Sequence, residues 1–285
     1  MTEAANPDMP VPSSEAPGDP GVPLPLFDPS VAHPARVYDY WLGGKDNFAA
    51  DRALGDAITA VVPTTVVGAR ANRAFLSRAV QYVAREAGIR QFLDIGTGIP
   101  TAGNVHEVAQ SVAPGSRIFY VDNDPTVLAH ARALMTSHPA GAASFIQADL
   151  REPGKILASP ELHATLDLGR PVALMLIAIL HFLSDADDPH GIVAELLDAL
   201  PSGSFLTISH LTGDFDPEEA DAAQAAAKGS GVTYHLRSRA EVAAFFAGLD
   251  LLYPGVEPVL AWRPDNGMPP DPQAVRIYSA MGRKP

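Results

Sequence analysis

Short apolar runs alternate with amphipathic stretches over most of the chain, a pattern that predicts a parallel sheet covered by helices on both faces. From Gln91 onward seven candidate strands read as Gln91 to Ile95, Arg117 to Asp122, Ala143 to Ala148, Pro171 to Ile177, Ser204 to Ser209, Leu249 to Leu260 and Ala274 to Met281. Helical periodicity falls between them at Asn104 to Val112, Pro125 to Ser137, His190 to Leu200 and Arg239 to Gly248. The last of these opens on a Ser238 and Glu241 capping box and stops at Gly248. Connections among the first five strands leave room for right-handed crossovers. The last two are joined mainly by the Pro-rich loop Arg263 to Pro272, too short for a helix, so the final strand is expected to run antiparallel.

Upstream, residues 35–90 carry helical patterns around Val37, Tyr40 and Trp41, then at Asp46 to Val62 and Ala69 to Ala87, with a Gly43-Gly44 break and no strand of their own. Such helices either pack beside the sheet or fold over the mouth of a ligand site. Pro217 to Lys228 predicts one more helix after the fifth strand, where a substrate cover would sit. The chain divides into an extended or disordered arm (1–34), a helical cap segment (35–90) and a main α/β domain (91–285). The arm holds nine of the 27 prolines within its first 35 residues and no Lys or Arg, which excludes a signal peptide there.

Composition narrows the field further. With 47% hydrophobic and 19% charged residues, 285 residues suffice for one large packed core. A net charge of -13 works against non-specific nucleic-acid binding, and no apolar run reaches the ~20 residues of a membrane span. The absence of cysteine excludes disulfides, thiolate metal sites and Cys nucleophiles, so a cytoplasmic enzyme or binding protein is expected.

The strongest chemical signal is Phe92-Leu93-Asp94-Ile95-Gly96-Thr97-Gly98-Ile99-Pro100, an apolar strand running into a glycine turn and then a helix. Glycines there let a ligand approach the backbone at the carboxyl ends of the strands, and the helix start offers a place for an anion. The next strand ends in Asp122, 26 residues after Gly96, where a carboxylate can accept ribose hydroxyls; Asp149 closes the third. Taken singly, each aspartate reads first as a helix cap. A dinucleotide turn would need glycine at Thr101, and the antiparallel final strand also disfavours the nicotinamide reading.

Arg36-Val37-Tyr38-Asp39-Tyr40-Trp41-Leu42-Gly43-Gly44-Lys45-Asp46-Asn47-Phe48, Asn72-Arg73-Ala74-Phe75, the Asp94 to Thr101 turn and Tyr120-Val121-Asp122-Asn123-Asp124-Pro125 together resemble an actinobacterial family of S-adenosylmethionine-dependent methyltransferases, most without an assigned substrate. The likeness runs from Ala32 to the C-terminus. It implies a class I, Rossmann-like methyltransferase fold of seven strands with an antiparallel last strand, and S-adenosylmethionine as cofactor. It further implies Asp94, Gly96, Thr97 and Gly98 around the methionine portion, Asp122 on the ribose, Asn123 beside the adenine, and Asp149 with Leu150 near the adenine amino group. Pro100 departs from the broad pattern, which has a third glycine there.

After the fourth strand, Ala178-Ile179-Leu180-His181-Phe182-Leu183-Ser184-Asp185 resembles the Leu-His-x-x-x-Asp segment of small-molecule O-methyltransferases, some of which use the histidine as a base. This places Ala178 among the candidate cofactor contacts and makes His181 a candidate catalytic base, or alternatively a structural hydrogen-bonding group. His210, after the fifth strand, is a second candidate on the substrate side. Tyr38, Tyr40, Trp41 and Phe48 read either as a lid closing on a sulfonium or as core. Arg70 and Arg73 read either as partners of the methionine carboxylate or as a solvated face. The function implied is methyl transfer from S-adenosylmethionine to oxygen or nitrogen of a small molecule. A non-catalytic binder of S-adenosylmethionine or S-adenosylhomocysteine, and a nicotinamide-dependent oxidoreductase, are the alternatives.

Overall fold

The computed structural model describes residues 28–134, 136–265 and 267–285. Most of the arm read over residues 1–34 lies outside the described residues. Three helices come first: α1 (Pro34–Leu42), α2 (Ala49–Val61) and α3 (Thr65–Arg85). The α/β part follows as β1 (Gln91–Ile95), α4 (Val105–Val112), β2 (Arg117–Asp122), α5 (Pro125–Leu134), β3 (Ala142–Gln147), α6 (Pro153–Leu157), α7 (Pro160–Thr165) and β4 (Ala173–Ile177). After two short 3-10 turns come α8 (Pro189–Asp198), β5 (Phe205–Leu211), α9 (Pro217–Gly229), α10 (Arg239–Ala244), β6 (Asp250–Leu251), β7 (Glu257–Pro258) and β8 (Ile277–Arg283).

The strands form one sheet in the order β3-β2-β1-β4-β5-β8-β6, with β7 also on β8. The first five run parallel, and β8 inserts antiparallel beside β5, as the short Pro-rich connection requires. The expected strand Leu249 to Leu260 is broken. Asp250 and Leu251 pair with Arg283 and Gly282, whereas Glu257 and Pro258 pair with Ser279 and Tyr278, so the register slips between the two pieces. Pro254 has no N–H to give a ladder and sits beside Gly255, which adopts φ 93°; together they interrupt the pairing.

Side chains alternate across the sheet. Leu93, Ile95, Phe119, Val121, Leu174 and Leu176 pack on one face with α8 and α10, while Phe92, Ile118, Tyr120, Ala173 and Met175 pack on the other with α3 and α4. Asp94 and Asp122 alternate onto the α3 face. The upstream helices take both of the places open to them. α3 buries Phe75, Leu76, Ala79, Val80 and Val83 against the sheet, whereas Val37, Leu54 and Ile58 of α1 and α2 form a separate cluster with Ala227 and Val232 beside α9. That second layer roofs the carboxyl edge of the sheet.

Arg36 fastens the roof. Its Nε reaches Asp51 of α2 at 3.1 Å, its Nη1 reaches Asp124 at the start of α5 at 3.5 Å, and its Nη2 donates to Val31 O at 2.6 Å. Asp51, fully buried, also accepts the backbone N–H groups of His33 and Phe48. Asp39 shapes the glycine break by accepting from Asp46 N and Asn47 Nδ2, and its carboxylate lies where a Cβ on Gly44 would have to be. Much of the Arg36 to Phe48 motif thus builds the roof.

Candidate active site

A cavity of about 660 Å³ opens between the carboxyl edge of the sheet and the α1, α2 and α9 layer, a size usual for small-molecule sites. Its floor begins with the turn after β1. Gly96 takes φ 78°, and a Cβ there would come within 2.7 Å of Ile179, so glycine is required twice over. The turn is pinned by Gly96 N to Val121 O (2.8 Å) and by Gly98 N to the Asp122 carboxylate (2.8 Å). Asp122 also accepts from Asp124 N at 2.9 Å. The cap of α5 is supplied instead by Asp124, which takes Thr126 N and Oγ1, so Asp122 is not a helix cap. Burial holds the Asp122 carboxyl above its ordinary pKa against the pull of those two amides.

Asp94 carries the clearest electrostatic signal. Burial raises its pKa to about 7, Arg73 pulls it down and Asp122 pushes it further up. Arg73 bridges from α3 to Ala102 O at 3.3 Å and Asn104 Oδ1 at 3.4 Å, which sets this turn of α3 against the end of β1. Helix α4 starts at Val105, one residue after the expected Asn104, and Pro100 and Gly103 (φ 80°) lie in the loop that precedes it. The N-terminus of α4 lies outside the cavity wall, and the anion place expected there is not part of this site.

On the far side, Asp149 is engaged by Arg151 (3.1 Å), whose Nε also meets Asp187 (3.1 Å), so this ion-pair chain stitches the loop after β3 to the segment after β4. Leu150 is buried next to it. Ala178 adopts φ 55°, unusual for a side chain with Cβ, and its N–H is held by both the carbonyl (3.1 Å) and the hydroxyl (3.0 Å) of Ser209. That turn throws Ile179 onto Gly96 and brings His181 to the wall.

His181 is buried among Phe182, Tyr234 and His210, with ring centroids 4.5, 5.8 and 5.6 Å away. Burial, with His210 and Arg237 adding to it, holds it neutral well below the usual histidine range. Leu211 N–H points at Nδ1 from 3.5 Å, which leaves the ring hydrogen on Nε2. The histidine is therefore set as a donor, with Nδ1 already occupied.

The cavity wall brings together Asp94, Gly96, Thr97, Gly98, Asp122, Asn123, Asp149, Leu150, Ala178, His181, Arg73, Tyr38 and Trp41. Four expected residues are not on it: Tyr40, Phe48, Arg70 and His210. Tyr40 faces α2, packed on Gly55 with its hydroxyl on Asp56 at 2.8 Å, because it points away from Tyr38 on the helix. His210 sits behind His181: its Nδ1 donates to Leu211 O at 2.7 Å and its Nε2 accepts from Arg237 at 3.0 Å, and burial lowers its pKa to about 4. The wall also holds Asn72, Phe182, Tyr234 and Arg276, which no motif argument singled out as site residues. For Asn72 the signal was its place beside Arg73; for Tyr234 and Arg276, which arrive on the loop after α9 and at the start of β8, local sequence offers none.

Comparison with known proteins shows the family of the chain. The profile of a family described as S-adenosyl methyltransferase matches residues 24–285. A DUF574 family protein from Streptomyces avermitilis is 49% identical, over 90% of this chain and 99% of that one, with a TM-score of 0.88. A candidate methyltransferase from Thermobifida fusca is 40% identical, over 90% of this chain and 96% of that one, with a TM-score of 0.83. Curated proteins give no match. Among the described residues no helix is long and apolar enough to cross a membrane.

Proposed function

The chain belongs to the S-adenosyl methyltransferase family, and from that premise we propose that it methylates an oxygen or nitrogen of a small, largely apolar molecule held beneath the α1 and α2 roof. The observation that carries this is one continuous cavity whose two ends differ in chemistry. At the sheet edge lie the carboxylates of Asp94, Asp122 and Asp149 with the Gly96 to Gly98 turn; beneath the roof lie Val62, Phe182, Tyr234, Leu211, Val275 and Ile277. The polar end fits S-adenosylmethionine on two counts. Gly98, in the cavity wall, has open space where a Cβ would stand, so a ligand can approach its backbone, and Asp94 is a buried carboxylate that accepts no hydrogen bond among the described residues.

In this reading Asp122 accepts the ribose hydroxyls with the lone pairs left free by the Gly98 and Asp124 amides, Asn123 and Leu150 flank the adenine, and Asp94 faces the amino-acid end. The cofactor, when bound, supplies a methyl group on a sulfonium. The protein orients an acceptor atom in line with it and excludes water, work worth several orders of magnitude in rate when the reacting atoms are held close. His181, as an Nε2–H donor, orients the acceptor and does not take a proton, so the attacking atom arrives as a carboxylate or phenolate oxygen or an uncharged amine nitrogen, and the proton of a methylated amine leaves to solvent afterwards. Tyr38 and Trp41 close the roof.

Calorimetric titration with S-adenosylmethionine, S-adenosylhomocysteine and NAD tests the assignment. The sulfur ligands should bind at micromolar affinity or better, about -8 kcal/mol, and NAD should not. NAD binding without a response to either sulfur ligand would overturn it. A methyltransferase assay against panels of small phenols, acids and amines then separates an enzyme from a binder without turnover.

A further inference from the structure

The cavity wall contains a hydrogen-bond acceptor whose orientation is forced and whose partner is missing. Tyr38 Oη lies 2.9 Å from Ala69 O and 3.0 Å from Asn72 Nδ2. A carbonyl oxygen only accepts, so the single phenolic hydrogen goes to Ala69, and Tyr38 bonds Asn72 by accepting. The amide therefore turns Nδ2 toward Tyr38, and Oδ1 is the atom left over. Asn72 is 1% exposed, and Oδ1 has no partner among the described residues. Buried acceptors are rarely left so, and one in a cavity wall awaits a donor from the ligand.

The neighbours indicate which donor. Asn72 precedes Arg73, whose guanidinium reaches the loop after β1 and whose charge is felt by Asp94. Asp94 lies on the same face of the sheet as α3 and offers a carboxylate that accepts no hydrogen bond among the described residues. A carboxylate and an amide oxygen lining one cavity, both lacking donors, suit a group with several N–H bonds and a positive charge.

We propose that Asn72 Oδ1, together with Asp94, receives the α-ammonium of the S-adenosyl ligand, and that Tyr38 fixes the amide so that this end of the ligand is tied to helix α1. This rests on the cofactor reading above. It makes Asn72 a binding residue and Tyr38 a positioning residue, and the lid is then held through the ligand's amino-acid end.

Titration calorimetry with S-adenosylhomocysteine, its deamino analogue and methylthioadenosine tests this without any methyl acceptor. Wild type should prefer S-adenosylhomocysteine over the deamino analogue by about tenfold to a hundredfold, the usual worth of hydrogen bonds to a charged group. Asn72→Leu should lose much of that preference while binding methylthioadenosine, which has no amino-acid end, as wild type does. Tyr38→Phe, which keeps the ring and frees the amide to turn, should lose part of the same preference. Equal weakening of all three ligands in Asn72→Leu would make Asn72 a structural residue and overturn the proposal, as would a wild type indifferent to the amino group, which would leave Oδ1 for the methyl acceptor. A wild type that binds none of the three overturns the cofactor reading itself, and this proposal with it.

Discussion

Asp94 should make cofactor binding depend on pH near neutrality, and the sign can be worked out. In the ligand-free protein its carboxyl is raised to about 7, chiefly by burial. A cationic group brought against it favours the ionised form, so the bound state has the lower pKa. Above pH 7 the carboxylate is already ionised and affinity is flat. Below pH 7 the ligand must expel a proton, and affinity falls about tenfold per unit until the bound-state pKa is reached. At pH 6 only about one molecule in eleven is ionised, a loss of ~1.4 kcal/mol relative to pH 8. Titration of S-adenosylhomocysteine at pH 6 in buffers of different ionisation enthalpy should show release of nearly one proton per ligand, and Asp94→Asn should show none. The Asp122 carboxyl is also raised, so the variant is needed to assign the proton. Equal affinity at pH 6 and pH 8, with no buffer dependence, would refute the reasoning.

Four further outcomes are expected. Asp122→Asn keeps the shape but removes the charge and one acceptor of the Gly98 and Asp124 amides, and should weaken S-adenosylhomocysteine by ~1.5–3 kcal/mol; unchanged affinity in calorimetry would place the ribose elsewhere. Cofactor should slow hydrogen exchange across Tyr38 to Phe48 more than in the loop Arg263 to Pro272, and protection confined to Gly96 and Asp122 would make the roof static. Arg36→Met leaves Asp51 buried without its guanidinium and should cost ~3–5 kcal/mol of unfolding free energy in a denaturant titration; a loss under ~1 kcal/mol would show that the roof does not depend on it. His181→Gln should keep turnover within about tenfold, and the wild type should show no acid limb from this histidine near its usual range, since burial holds it well below that; a loss of ~10²–10⁴ would restore the general-base role.

Strands β1, β2 and β4 were legible because they are buried on both faces, so that apolar character and strand coincide. The same logic fails at Leu249 to Leu260, where the run is equally apolar but Pro254 cannot join a ladder; the proline was visible, its effect on register was not. Helix α7 escapes the sequence pattern although Ser159-Pro160-Glu161 carries a cap and an N-terminal proline, and Ser159 does accept from Leu162 N at 3.0 Å. Its six residues are too few for a periodicity to show.

The candidate site divides along a similar line. Residues at strand ends were readable, because a parallel sheet brings every carboxyl end to one edge whatever the helices do. Residues that reach the cavity from helices depend on facing. At about 100° per residue, Tyr40 lies roughly 200° from Tyr38 and cannot share its face, whereas Trp41 lies only about 60° away. Helical geometry alone would therefore have separated Tyr40 from the other two. His210 yields to the same test with a period of two: Leu211 takes the cavity side of β5, which sends His210 to the opposite face, under Arg237. Arg237 also holds the carbonyls of Leu180 and Leu183 at 3.1 Å, on either side of His181. The two histidines thus belong to one buried brace. Arg237 donates to His210, His210 donates onward to Leu211 O, and Leu211 N–H faces His181, so each ring is fixed in its neutral tautomer by its neighbours. A brace of this kind aims a donor into the cavity at a constant angle, and it does so because no member of it is free to take up a proton.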